Sequence, residues 1–193
     1  MRGRAVTGFV IATFALGASA GNVDEELPEP WFKNGQPPAK EQCLAGVDVE
    51  LEQQGTRNLT LRCEEAVDGF VGVMQEFSAE NYLGKRVRFS ASVRTEGIEE
   101  GSGAIWMRVD DYRRPSSAFD NMRDRPLTGT EDWTRHSVVL DVSEEAQGIF
   151  FGTFLHGRGQ IWIKDLKFES VGKDVPTTGQ KKPTEPGNLE LER

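Results

Sequence analysis

Apolar and polar positions alternate with a period of two along most of this chain, the pattern of strands with one face buried. Val87, Phe89, Ala91 and Val93 fall on one parity, and Arg86, Arg88, Ser90, Ser92 and Arg94 on the other. Ile105, Met107 and Val109 oppose Trp106, Arg108 and Asp110 in the same way. Strand signals recur at about 43–51, 58–64, 70–77, 86–95, 103–110, 133–142, 148–155 and 160–169. Turn residues separate most of them: Gln54-Gly55, Asp68-Gly69, Gly84 and Gly101-Ser102-Gly103. Only Ser78–Leu83 and Ser143–Ala146 read as helical turns, and no stretch carries a long 3.6-residue apolar period. The pattern predicts an all-β chain built as an antiparallel sandwich.

Residues 148–169 refine that expectation. Two β-rich runs flank a predicted tight turn at Gly157-Arg158-Gly159, and the second run breaks its own alternation. Ile161 and Ile163 share one parity, whereas Leu166 and Phe168 take the other. One core can hold all four only if an extra residue kinks the strand near Lys164–Asp165, as a β-bulge does. This pattern resembles the closing strands of jelly-roll sandwiches of the galactose-binding-like and carbohydrate-binding-module type, and implies that fold.

The ends differ from the middle. Arg2 and Arg4, the apolar run Ala5–Leu16 and the small residues Ala18-Ser19-Ala20 follow the order of a cleaved signal peptide, placing residues 1–20 outside the fold. Residues 21–42 carry Pro28, Pro30, Pro37 and Pro38 and read as an irregular lead-in, with Trp31-Phe32 as its anchor. The sandwich then occupies 43–171, and 172–193 is a polar tail expected to be mobile, with 188–192 either trailing or pairing as an edge strand. The expected location is periplasmic or secreted, with no stable membrane insertion after cleavage.

Charge and cysteines narrow the function classes. The chain has a net charge of −8, and loss of Arg2 and Arg4 would take it to −10. Such a chain repels a phosphate backbone, so nucleic acid is not an expected partner. The two cysteines, Cys43 and Cys63, are expected to be bridged in an exported protein, the alternative being two buried thiols.

A series of motifs carries a family resemblance: Gly84-Lys85-Arg86-Val87-Arg88-Phe89-Ser90, Trp106-Met107-Arg108-Val109-Asp110, Phe119-Asp120-Asn121-Met122, Arg125-Pro126, Gly129-Thr130, Asp132-Trp133, and Gly157 through Gln160 and Trp162. The series spans about residues 70–176 and resembles an uncharacterised bacterial domain, some of whose members are described as AraC-type regulators. The regulator role does not carry over, because no helix-turn-helix pattern is present. The more distant similarity to carbohydrate-binding modules implies a sugar-like or polymeric ligand.

Trp106, Arg108 and Asp110 form the best candidate ligand row, since a flat aromatic face with charged groups beside it suits sugar hydroxyls and C–H faces. Arg88 joins them if both arginine-bearing strands lie in one sheet, and a loop carrying Asp120, Asn121 and Arg125 is expected to border the groove. The competing reading packs Trp106 under a loop and pairs Arg108 with Asp110 or Asp120. Asp165 is a candidate calcium ligand in the closing strand, completed by Glu190 or Glu192 if the tail folds back; no other cofactor is implied. His136 and His156 fit no triad spacing, and Asp110, Asp111, Asp120 and Asp124 are acids that could in principle form a glycosidase pair, although clustered acids in turns are more often solvated. The sequence therefore points to a non-catalytic exported module binding a glycan or cell-envelope polymer. The alternatives are a structural or interaction domain docking on an envelope protein, and an unrecognised hydrolase.

Overall fold

The computed structural model describes residues 22–179 and 187–190. The expected signal peptide lies outside those residues, as do Leu191 and Glu192 of the expected edge strand. In chain order the elements are β1 (Val23–Asp24), β2 (Phe32–Gly35), α1 (Ala39–Gln42), β3 (Leu44–Asp48), α2 (Val49–Gln53), β4 (Leu59–Ser78), a 3₁₀ turn (Glu80–Tyr82), β5 (Arg86–Asp111), β6 (Arg114–Asp120), β7 (Leu127–Asp141) and β8 (Ala146–Val171). All paired strands are antiparallel, and the chain is an antiparallel β-sandwich of the jelly-roll type.

Three long strands make the sandwich. β5 and β8 are 26 residues each and β4 is 20. At ~3.3 Å per residue a straight 26-residue strand would run roughly 85 Å, about twice the width of a compact domain of this size. All three therefore bend, and they bend together. The register of β4 slips between Cys63 and Phe70, that of β5 between Glu96 and Ser102, and both slips face the Gly157–Gly159 segment of β8. Gly157-Arg158-Gly159 is thus a corner where one strand passes between layers, not the hairpin turn expected from sequence. Gly157 and Gly159 have φ of 82° and 116°, and a Cβ on Gly157 would sit 2.5 Å from the Glu99 carbonyl oxygen. The bend needs both the left-handed backbone and the missing side chain.

The corner divides the strands into two layers. The front layer runs β2, the second half of β4, the first half of β8, the second half of β5, then β6. The back layer runs β1, β3, the first half of β4, the second half of β8, the first half of β5, then β7. Between them lie Val87, Phe89, Val93, Ile105, Met107 and Val109, all buried as their alternation predicts. Phe89 of the back layer meets Phe151 of the front at 4.8 Å, and Phe77 of the front meets Phe168 of the back at 5.2 Å, both edge-on.

The predicted bulge is present. Ser90 and Ser92 of β5 pair with Lys167 and Lys164, so β8 spends one extra residue there, and Asp165 takes a φ of 52°. The bulge turns Phe168 toward the core, but Leu166 remains 39% exposed, so only three of the four apolar residues gain shelter.

Local chemistry revises several boundaries. The strand expected over 43–51 stops at Asp48, whose Oδ1 accepts from the backbone N–H groups of Glu50 and Leu51 and caps α2. The lead-in is not wholly irregular: β1 pairs with β3, and β2 pairs with β4 through Phe32 opposite Met74. Cys43 and Cys63 form the expected disulfide, with Cα atoms 4.5 Å apart, tying the start of β3 to β4. Constraint of that loop contributes roughly 3 kcal/mol in the chain-entropy view. The tail is not free from 172 onward. Arg86 Nη1 donates to the carbonyls of Lys173 and Val175, and Thr178 N–H donates to Val139 O at 3.0 Å, so residues up to 179 cover the open edge of β7. No strand forms at 188–190.

Candidate functional site

The outer face of the front layer is hollowed into a groove of about 890 Å³ that crosses all five of its strands. At the usual strand spacing of about 4.8 Å this gives a trough roughly 20 Å long. Gly72 of β4 and Gly152 of β8 lie on the outward parity of the same layer, and a Cβ on Gly152 would collide with the Val73 and Met74 backbone. Large rings line the groove: Phe70, Phe154, Trp106 and Phe119, contributed by four different strands.

Trp106 forms the base. It is 9% exposed and its ring meets Phe119 at 6.4 Å, edge-on. Phe119 is 43% exposed, so the open aromatic face is offered by Phe119 more than by Trp106. One side of the groove is formed by Asn34 and Gln36, the other by Asn121, Arg123 and Pro126, and Ser102 and His156 complete one end.

Arg108 lines the groove with a half-exposed side chain. Its guanidinium lies 4.4 Å from the centroid of the Phe150 ring, and its Nη2 donates to Asp110 Oδ2 at 2.9 Å. The Nε–Oδ1 approach of 2.8 Å is short but poorly aligned, so the Nη2 contact carries the hydrogen bonding. Asp110 faces a second, shallower hollow with Glu76, Asp111 and Phe150.

The segment expected to be a long loop begins as strand β6, which hairpins onto β5 with Arg108 opposite Phe119. The loop proper follows Asp120 and is rigidly anchored. Asp120 is 4% exposed; its Oδ1 accepts from Met122 N–H at 2.8 Å, and its Oδ2 accepts from Arg125 Nη2 at 2.6 Å. Met122, at φ 56°, is buried in the core. Burial lowers the pKa of the Arg125 guanidinium, but the bonds to Asp120 and Asp124 outweigh it and raise the net value. Asp120 and Arg125 therefore hold the groove's border in place, while Asn121 and Arg123 face the groove.

The structure thus gathers Trp106, Arg108 and Asn121 into one groove, with Asp110, Asp120 and Arg125 immediately behind or beside it. Arg88 does not join them. It belongs to the first half of β5, on the opposite outer face, and donates to Glu169 Oε1 at 2.6 Å. The two arginine-bearing segments read as neighbours are halves of one strand on either side of the corner, so their rows point in opposite directions. Asp165 also lies on the back layer, where its carbonyl accepts from Arg135 Nη1 at 2.5 Å; that guanidinium opposes a cation. Glu190 is exposed, and no group of three His, Cys, Asp or Glu side chains suited to a metal occurs among the described residues.

Nothing in the local sequence marks Phe70, Phe154, Asn34 or Gln36 as groove residues, whereas Phe119 lies in the motif expected to border the groove. Phe70 and Phe154 sit in apolar runs, and only the corner shows which members face outward. Asn34 and Gln36 lie in the lead-in, whose pairing with β4 depends on a register no local pattern encodes.

No protein-family model matches the chain. Among curated proteins it is 38% identical over 174 residues to an uncharacterized HTH-type transcriptional regulator, YbfP, of Bacillus subtilis, covering 87% of this chain and 58% of that relative's length. The chain thus spans little more than half of the regulator. Among solved structures it is similar to the CBM22-1–GH10 modules of the endo-1,4-β-D-xylanase Xyn10B of Clostridium thermocellum, complexed with xylohexaose, at a TM-score of 0.55 and 14% identity, covering 82% of this chain and 29% of that one. It is also similar to the CBM22-1 xylan-binding domain of Xyn10C from Paenibacillus barcinonensis, at a TM-score of 0.51 and 12% identity, covering 80% and 97%. At these identities the likeness establishes the shared β-sandwich fold.

Proposed function

We propose that this domain is a non-catalytic binding module that takes an extended glycan or cell-envelope polymer into the front groove. The observation that carries the reading is the trough itself: it crosses five strands, is lined by aromatic rings, and is edged by Asn34, Gln36, Ser102 and Asn121. Rings supply flat faces for sugar C–H groups, and amides and hydroxyls suit sugar hydroxyls. A groove open along its length suits a polymer better than an enclosed small molecule. The carbohydrate-binding modules among its structural neighbours support the same reading.

Several features favour binding over hydrolysis. No carboxylate lines the groove among the described residues. Asp110 is engaged by Arg108, Asp111 accepts from the Ser117 and Ser143 hydroxyls, and Asp120 and Asp124 hold Arg125. A glycosidase needs two acids free to face the bond. The disulfide and the signal-like residues 1–20 support export to the periplasm or the medium. No helix among the described residues is long and apolar enough to cross a membrane.

Binding of the purified domain to an array of plant and bacterial polysaccharides tests this directly. Saturable binding that is lost in Phe119→Ala and Asn121→Ala, with the fold intact, is expected. Binding to one envelope protein through another face, with no glycan retained, would replace this reading with that of an interaction domain.

A further inference from the structure

We propose that the groove selects glycans carrying negative charge, and that Arg123 reads that charge. This rests on the front groove being the glycan site. The chain holds 31 acidic against 23 basic residues, yet the groove is lined by Arg108 and Arg123 and by no Asp or Glu among the described residues.

The three arginines around the groove are not equivalent. Arg125 turns away from it, with Asp120 at 2.6 Å and Asp124 at 2.8 Å. Arg108 stacks on Phe150 and is balanced by Asp110; it serves as a flat, nearly neutral platform. Arg123 is exposed beside Asn121 and has no ion pair among the described residues. Its planar fork of N–H donors matches the paired oxygens of a carboxylate or a sulfate ester. The remaining polar lining, Asn34, Gln36, Ser102 and Asn121, is neutral and suits hydroxyls. A chain of mostly neutral sugars with an acidic group near Arg123 satisfies both parts.

The test compares each glycan with its own uncharged form. The probes are polygalacturonate beside its carboxyl-reduced product, and dextran sulfate beside dextran, measured by affinity electrophoresis or calorimetry with the native domain and with Arg123→Gln. Arg123 is exposed and unpaired, so this variant should fold normally. The expected result is tighter binding of the charged member of at least one pair, a preference that shrinks with salt, and a loss of about tenfold in that member's affinity in the variant. The pair that responds identifies a carboxylate or a sulfate as the group recognised. Equal affinity for charged and uncharged forms, unchanged by Arg123→Gln, would overturn the charge selection and leave the groove as a neutral-glycan site. Failure of the folded domain to bind any of the four probes, or any polysaccharide of the wider array, would overturn the groove reading and this inference together.

Discussion

Asp120 and Arg125 form a bidentate ion pair beneath the border of the groove, with the Asp120 side chain 3% exposed and the guanidinium one-third exposed. The pair joins the end of β6 to the loop before β7, and Asp120 also accepts from Met122 N–H. Removing one partner of such a pair leaves the other uncompensated. Asp120→Ala is expected to cost about 2–4 kcal/mol. Asp120→Asn, which keeps an acceptor for Met122, should cost less. Urea unfolding of both variants checks this; a cost below about 1 kcal/mol for Asp120→Ala would show that the loop is held by Met122 burial alone.

The corner makes a sharper test, because two left-handed glycines differ in their surroundings. Gly157, at φ 82°, faces the Glu99 carbonyl at 2.5 Å, whereas Gly55, at φ 81°, has open space. Gly55→Ala should cost about 1 kcal/mol, the backbone penalty alone. Gly157→Ala adds a collision with main chain and should cost about 3 kcal/mol or prevent folding. Equal costs from thermal or urea unfolding would mean that the strands do not pass the corner as closely as described.

Acid should weaken the hold on the C-terminal segment. The hydrogen bonds from Arg86 hold the Asp141 carboxyl down to about 2, against a smaller opposing effect of burial, and Lys173 adds to the lowering. Because the folded value lies below the unfolded one, this stabilisation is complete above about pH 4 and lost as pH falls toward about 2. Wild type should therefore lose more stability than Asp141→Asn over that interval, by a modest amount because the carboxylate is half exposed. Urea midpoints at the two ends of the interval measure it, and parallel losses in both proteins would contradict the assignment.

Alternation of Val87, Phe89, Ile105 and Met107 was enough to fix which side faces the core, because one-sided burial imposes a period of two. The broken parity between Ile163 and Leu166 likewise places the bulge near Lys164–Asp165, where Asp165 takes a φ of 52°. Cys43 and Cys63 followed from their number and setting. What the chain did not disclose was long-range: that 86–95 and 103–110 are one bent strand, which sends Arg88 and Arg108 to opposite faces. Alternation reports the facing of a side chain relative to its own strand and nothing about a turn of that strand between layers. The glycines at 101, 157 and 159 are visible in the sequence, but as turn signals. Asp120 was legible as a turn residue; its burial beneath Arg125 depends on β6 pairing with β5, which no local pattern shows.

The claim that the front groove is the ligand site is tested most directly by the indole N–H signals of two tryptophans on opposite faces. Trp106 lies at the base of the groove, and Trp162 lies on the back layer with its Nε1 donating to Asp48 Oδ2 at 2.8 Å. In an NMR titration of the labelled domain with a polysaccharide selected from the array, the Trp106 indole signal should shift in a saturable way, together with the side-chain amide of Asn121, while the Trp162 indole signal stays in place. A saturable shift at Trp162 with Trp106 unmoved would place the ligand on the opposite face and contradict the account.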